Sequence, residues 1–202
     1  MAIDKASNNK YLAEKLRATG REGIEVVLTK LYKEHGFFQA PASSAFHLNE
    51  EGGLVQHSIN VYECAMKIRD MVVAQKPELA ERLTDDSIAI AGLLHDVCKS
   101  DVYQLKEKFR KDANGRWETY TGYDVDYSRF PMGHGEKSVI MLLQMGLDLT
   151  DDEMMAIRWH MSAWDLPFQS NEEKSSLNAA REKCPLLTVI QAADGIASGI
   201  LE

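Results

Sequence analysis

The sequence predicts an all-α fold, one helical bundle carrying a small inserted β-hairpin. Three observations lead there. Apolar residues recur at helical spacing through most of the chain, as at Ile24, Val27, Leu28 and Leu31. One stretch, 103–127, breaks that pattern: it is rich in Tyr, Phe, Trp and Thr, and Asn114-Gly115 is the strongest short turn signal present. No repeat, low-complexity run or Pro/Gly/Ser-rich linker divides the 202 residues, a length that supports one well-buried core in a single domain over 1–202.

Taken in order, a first helix is predicted over 24–35, with Gly36 as its stop. Residues 37–53 hold Pro41, Ser43, Ser44, Gly52 and Gly53 and read as an ordered loop. A second helix covers 54–74, before Pro77. On it His57, Val61, Cys64, Ala65 and Ile68 share one face, so His57 points toward the core. A third helix, 85–99, takes Thr84 or Asp85 as its cap and places Ile88, Ala91, Gly92 and His95 on its inner face, with Asp96 next round. The hairpin follows, with strands over 105–111 and 116–123. Helices resume at 135–145, 151–160, 172–183 and 185–199; Asn171 caps the third of these, and Pro185 sits in a first turn, where its missing N–H costs nothing.

Composition narrows the classes. Apolar residues are 45% and charged residues 27%, ordinary for a globular chain. A net charge of −8 disfavours tracking along a nucleic-acid polymer, which needs a basic face, yet allows a nucleotide held locally by a metal and a cation or two. Cys64, Cys98 and Cys184 are odd in number and lack a CxxC pair, which points to a reducing cytoplasm rather than a disulfide framework. No stretch approaches 18 uninterrupted apolar residues, and Met1 to Lys10 is polar, so neither a membrane span nor a signal peptide is expected.

The chemistry centres on His95-Asp96, which closes the apolar run from Ile88 to Leu94. Polar groups beside such a run need partners, since burial without them is costly. The candidates are His57, His134, His160 and Asp194. Taken singly, each histidine reads as a satisfied core or cap residue, and Asp194 as a cap or salt-bridge group. Together, five helices each present a ligand type to the interior. Nitrogen and oxygen donors of this kind suit Mn, Fe, Co, Ni or Zn, with Mg for weak sites, and a metal that activates water implies hydrolysis.

The ordered set His57 … His95-Asp96 … Asp194 resembles the signature of the HD-domain metal-dependent phosphohydrolases. Gly52-Gly53-Leu54-Val55-Gln56-His57-Ser58 is similar to that family's first-ligand helix start, and to a 3′–5′ exoribonuclease there. Leu93-Leu94-His95-Asp96-Val97-Cys98-Lys99 resembles its HDxxK variant, which more often has Gly where this chain has Cys98. Gly133 to Ser138 resembles the helix start of members with extra histidines. The resemblance spans about 50–200. It implies a primary metal site of His57, His95, Asp96 and Asp194, with Asp96 bridging to a second ion at His134 and His160 in some subfamilies. Those often carry a further ligand, sometimes a histidine directly after the one matched by His160, where this chain has Met161; Asp165 is an extra candidate. The implied activity is hydrolysis of a small phosphorylated substrate, a nucleotide-like phosphomonoester or phosphodiester, with one or two metal ions per chain and no membrane partner. The alternative is a non-catalytic metal-containing binding or regulatory module. Nothing bears on oligomeric state.

Other residues carry less. Lys99 is either a phosphoryl clamp or a charge on a helix C-terminus. His134 and His160, if metal-free, can contact phosphate or donate a proton. Trp159 and Trp164 flank His160; Trp164 can stack on a base, with packing the preferred reading. Arg158 fits a surface ion pair, Cys98 a small buried residue, and His35 and His47 no chemical role.

Overall fold

Helix α3 (Gly53–Gln75) is the central element of the computed structural model, which describes residues 3–162 and 170–202. Eight α-helices and one two-stranded sheet make up the described fold. The other helices are α1 (Lys5–Ala18), α2 (Ile24–Lys33), α4 (Asp85–Leu94), α5 (His134–Gln144), α6 (Asp151–Trp159), α7 (Asn171–Lys183) and α8 (Pro185–Ile196). Short 3₁₀ turns cover Pro77–Leu79 and Val97–Asp101, and a π-helical turn, Ala197–Leu201, follows α8. The all-α expectation with one hairpin is met.

The core lies where α3 packs against α4 and α8, and α8 against α6. Its walls are Leu54, Val61 and Ala65 from α3, Ile88, Ile90, Leu93 and Leu94 from α4, and Leu186, Leu187 and Ile190 from α8. Each fully buried aliphatic side chain contributes about 1.5–3 kcal/mol. Gly92 lets α4 approach α3 closely: a Cβ there would sit 3.1 Å from the Tyr62 Cα. That approach carries His95 up against His57.

Several boundaries differ from expectation. Helix α1 is not signalled by a broad apolar stripe, since only Leu12 and Leu16 are buried on it; it is held by the Asp4 carboxylate, which accepts from the Ser7 N–H. Helix α4 ends at Leu94, not at 99. The reason is local: the His95 imidazole Nδ1 donates to the Gly92 carbonyl at 2.9 Å, so a side chain takes over helix termination, and Asp96 turns out of the helix at φ −104°, ψ 20°. Lys99 therefore lies on the 3₁₀ turn. Thr84 caps α4, accepting from Ser87 N, and Ser170, not Asn171, caps α7. Helix α8 ends at Ile196, before the π-helical turn.

Strands β1 (Tyr103–Lys111) and β2 (Trp117–Val125) pair antiparallel in the register Tyr103↔Val125 to Lys111↔Trp117. Residues 112–116 close the hairpin, with Gly115 in the left-handed region at φ 77° and the Asp112 carboxylate accepting from the Asn114 and Arg116 N–H groups.

An ion pair between a half-buried arginine and a buried glutamate ties the turn after α1 to the bundle. Arg21 grips Glu153 in bidentate fashion, both contacts at 2.7 Å, while Ser87 Oγ and Thr150 N donate to the same carboxylate. No single helix among the described residues is long and apolar enough to cross a membrane.

Candidate metal centre

Five helices or their ends meet at one point. His57 comes from the first turns of α3, His95 and Asp96 from the exit of α4, His134 from the start of α5, His160 from the end of α6 and Asp194 from α8. All six side chains that the sequence singles out as ligand types are brought together. Gly135 helps: a Cβ there would collide with the Arg158 carbonyl, so α5 meets α6 closely and His134 comes within 5.2 Å of His160, centroid to centroid.

Four contacts among the inner atoms fall in a narrow range. His57 Nε2 lies 3.3 Å from His95 Nε2, 3.4 Å from Asp96 Oδ2 and 3.3 Å from Asp194 Oδ1, and His95 Nε2 lies 3.4 Å from Asp96 Oδ2. Nitrogen and oxygen ligands at about 2.0–2.2 Å from one centre, spread tetrahedrally, stand about 3.4 Å apart. The other Asp96 oxygen faces the second pair: Oδ1 is 2.6 Å from His134 Nε2 and 3.4 Å from His160 Nε2.

The rings are aimed from behind. His95 Nδ1 donates to Gly92 O at 2.9 Å and His160 Nδ1 to Ile157 O at 2.7 Å; a carbonyl only accepts, so both rings carry their proton on Nδ1 and turn an Nε2 lone pair inward. His57 Nδ1 lies 3.0 and 3.1 Å from the two Glu202 oxygens, and Asn60 Nδ2 donates to Glu202 Oε1 at 3.0 Å. This anchoring of the far ring nitrogen is the arrangement metal-ligating histidines use. His160 Nε2 is buried and makes no hydrogen bond. The donor set fits a divalent cation: the carboxylates of Asp96, Asp194 and Glu202 face the histidines, and the ammonium of Lys99 stands beside them with its Nζ 2.7 Å from Asp96 Oδ2.

Electrostatics agree. Burial works to raise Asp96, yet Lys99, His95 and His134 outweigh it and hold the carboxyl well below the usual range. Burial is likewise overcome at Asp194, by His57 and His95, so this carboxyl is also ionised. For His57 burial lowers the imidazole, but hydrogen bonds to Asp194, Asp96 and Glu202 hold it well above its ordinary value. Positive charge is favoured between these groups. Burial keeps His160 low and therefore neutral.

Two cavities adjoin the cluster. One, about 320 Å³, is lined by His47, Lys99, His160, Met161, Gln191, Asp194, Gly195 and Ser198. The other, about 510 Å³, is lined by Lys99, Tyr103, Tyr127, Pro131, Met132 and His134 among others. Lys99 borders both.

Two residues escape sequence reasoning. His47, expected to be chemically idle, lies with its ring 5.3 Å from that of His57, and Glu202 contacts His57. Neither carries a local signal, because a loop residue and the last residue after α8 reach the cluster only through tertiary folding. His35 stays apart from it. Arg158 forms an ion pair with Glu136 at 2.7 Å. Trp164 and Asp165 lie outside the described residues.

The HD domain family model matches residues 54–199. The protein called dihydroneopterin 2′,3′-cyclic phosphate phosphodiesterase, from Methanocaldococcus jannaschii, is 32% identical over 89 residues, covering 44% of this chain and 32% of that relative. The chain thus spans about a third of that relative's length. No solved structure matches.

Proposed function

The chain belongs to the HD-domain family, and on that premise we propose that it is a metal-dependent phosphohydrolase acting on a small phosphorylated substrate, a nucleotide or related phosphomonoester or phosphodiester. The observation that carries this reading is the cluster of His57, His95 and Asp96, whose inner atoms lie 3.3–3.4 Å apart, with Asp194 Oδ1 3.3 Å from His57 Nε2. The relative's printed name makes a cyclic phosphodiester the first substrate class to test.

His57, His95, Asp96 and Asp194 would hold a first ion, and Asp96, His134 and His160 a second. A bound divalent ion supplies water whose pKa falls from about 15.7 toward about 7, giving hydroxide at neutral pH. The remaining work falls to the chain. Lys99 is held as an ammonium because Asp96 outweighs the effect of its burial, and it borders both cavities, so it offers fixed positive charge to phosphoryl oxygens. His134, partly exposed at the rim of the larger cavity, is placed to pass a proton to a leaving oxygen when not ligated. Tyr103 and Tyr127 offer aromatic surface to a flat substrate group in that cavity.

Elemental analysis of the purified protein, paired with hydrolysis of a chromogenic phosphomonoester and a cyclic phosphodiester with and without added Mn²⁺, tests the proposal. One or two metal ions per chain and turnover abolished in Asp96→Ala support it. Bound metal without turnover on any phosphoester favours the regulatory-module alternative, and absence of both overturns the metal reading.

A further inference from the structure

We infer that Cys98 is a thiolate ligand of the second metal position, together with Asp96 and His134, and that this position takes a borderline-soft ion such as Zn²⁺ or Co²⁺ in preference to Mg²⁺. The inference rests on the metal reading above and deepens it. Cys98 sits two residues after Asp96 on the 3₁₀ turn Val97–Asp101, and that turn swings thiol and carboxylate to one side. Its backbone N–H donates to Ser138 Oγ of α5 at 3.2 Å, which fixes the turn against the helix that opens with His134.

The sulfur–nitrogen distances are those of a shared ligand set, and the hydrogen bond that joins Asp96 Oδ1 to His134 Nε2 at 2.6 Å would open to admit the ion. Cys98 Sγ lies 3.4 Å from His134 Nδ1 and 3.8 Å from Nε2, and the ligand atoms of Asp96, Cys98 and His134 all fall within 4.8 Å of one another. Metal–sulfur and metal–nitrogen bonds of about 2.3 and 2.0–2.1 Å, at a tetrahedral angle, place sulfur and nitrogen about 3.6 Å apart. An independent observation marks the same point. His160 Nε2, buried and without a hydrogen-bond partner, aims at Asp96 Oδ1 from 3.4 Å, the oxygen that also meets His134. The other two cysteines have no comparable setting: Cys184 Sγ is engaged at the start of α8 with Leu187 N and Asp152 O, and neither it nor Cys64 joins a ligand cluster among the described residues.

Binding is a simple exchange. The S–H proton leaves to solvent as the sulfur–metal bond forms, with no change of oxidation state. Thiolate favours zinc and cobalt over magnesium because the softer donor suits the softer ion.

Cobalt loading reads this directly, since a thiolate ligand adds a near-ultraviolet charge-transfer band to the visible bands that any bound Co²⁺ shows. The expected result is that band in the wild-type chain and in Cys64→Ser and Cys184→Ser. It should vanish in Cys98→Ser and Cys98→Ala, which bind the second equivalent roughly tenfold or more weakly and keep the visible bands of the first. Should both Cys98 variants fail to fold, sulfur scattering in the X-ray absorption of the zinc-loaded wild-type chain answers the same question. Visible bands without charge transfer, or an unchanged band in the Cys98 variants, overturn this inference and leave the proposed function standing. No cobalt bound by the wild-type chain overturns both.

Discussion

The Nε2 atoms of His57 and His95 face each other at 3.3 Å, while the Nδ1 of each is committed to an acceptor behind it, Glu202 and Gly92 respectively. Two buried lone pairs so placed repel unless a proton or a cation sits between them. Chelation should therefore lower the unfolding midpoint. Saturating an ion at a hundred times its dissociation constant stabilises by about 2.7 kcal/mol, which for a chain of this size is about 5–10 °C. Calorimetry with and without chelator checks it; an unmoved midpoint would mean the cluster holds no ion.

Glu202 reaches the candidate ligands through His57, and its other oxygen lies 3.8 Å from His47 Nε2. Removing its carboxylate in Glu202→Ala should weaken metal binding about 10–100-fold, because the ring loses the acceptor that fixes its tautomer. Competition against a chromogenic chelator measures this. The circular-dichroism spectrum should stay unchanged, since Glu202 makes no contribution to the apolar core.

The pH response of the chelated chain follows from signs. His57 is held above its ordinary 6.5, so its contribution is complete below that value and is lost as pH rises through the folded value. Asp96 and Asp194 are held below their ordinary 3.8, so theirs is present above that value and is lost on acidification. The chelated chain should be less stable at pH 9 than at pH 6. Metal should remove that alkaline loss, because bound histidines are already deprotonated. Urea melts at the two pH values decide it.

Glu153→Ala should cost about 1–3 kcal/mol, measured by urea unfolding, since it strips the half-buried Arg21 guanidinium of its carboxylate and leaves Ser87 Oγ and Thr150 N without their acceptor. Glu153→Gln, which keeps shape but loses charge, should fall between the two. Metal content of the folded fraction should not change, because Arg21 and Glu153 touch none of the six candidate ligands.

The outer hairpin should be dispensable to the fold. Leu105, Phe109 and Trp117 are 62%, 66% and 70% exposed, so little apolar burial depends on them. Replacing 107–121 by an Asn-Gly turn between the paired Lys106 and Gly122 should shift the midpoint by no more than about 2–4 °C. A larger fall would show that the hairpin supports the bundle.

The elements most legible in the sequence were those whose periodicity is strong, α2 and α3, and the hairpin, whose Asn114-Gly115 turn chemistry is local. Helix α1 escaped notice because two buried leucines do not make a stripe. The early end of α4 was hidden for a subtler reason: 85–99 keeps helical periodicity, but the His95 ring, not a backbone N–H, takes the Gly92 carbonyl. Of the site, the residues on apolar faces were readable from spacing. His47 and Glu202 were not, since their approach to His57 depends on how the 37–53 loop and the chain after α8 fold back.

His95 and His160 stand in equivalent places, each immediately past a helix end and each bonded to the carbonyl three residues earlier, Gly92 or Ile157. Ligand direction is thereby set by helix length. One residue inserted into α4 or α6 would turn the following histidine by about 100° and carry it off the cluster, whereas insertions at 112–116 leave every ligand where it is. Divergence in chain length should accordingly accumulate at the hairpin tip, with α4 and α6 held to a fixed count.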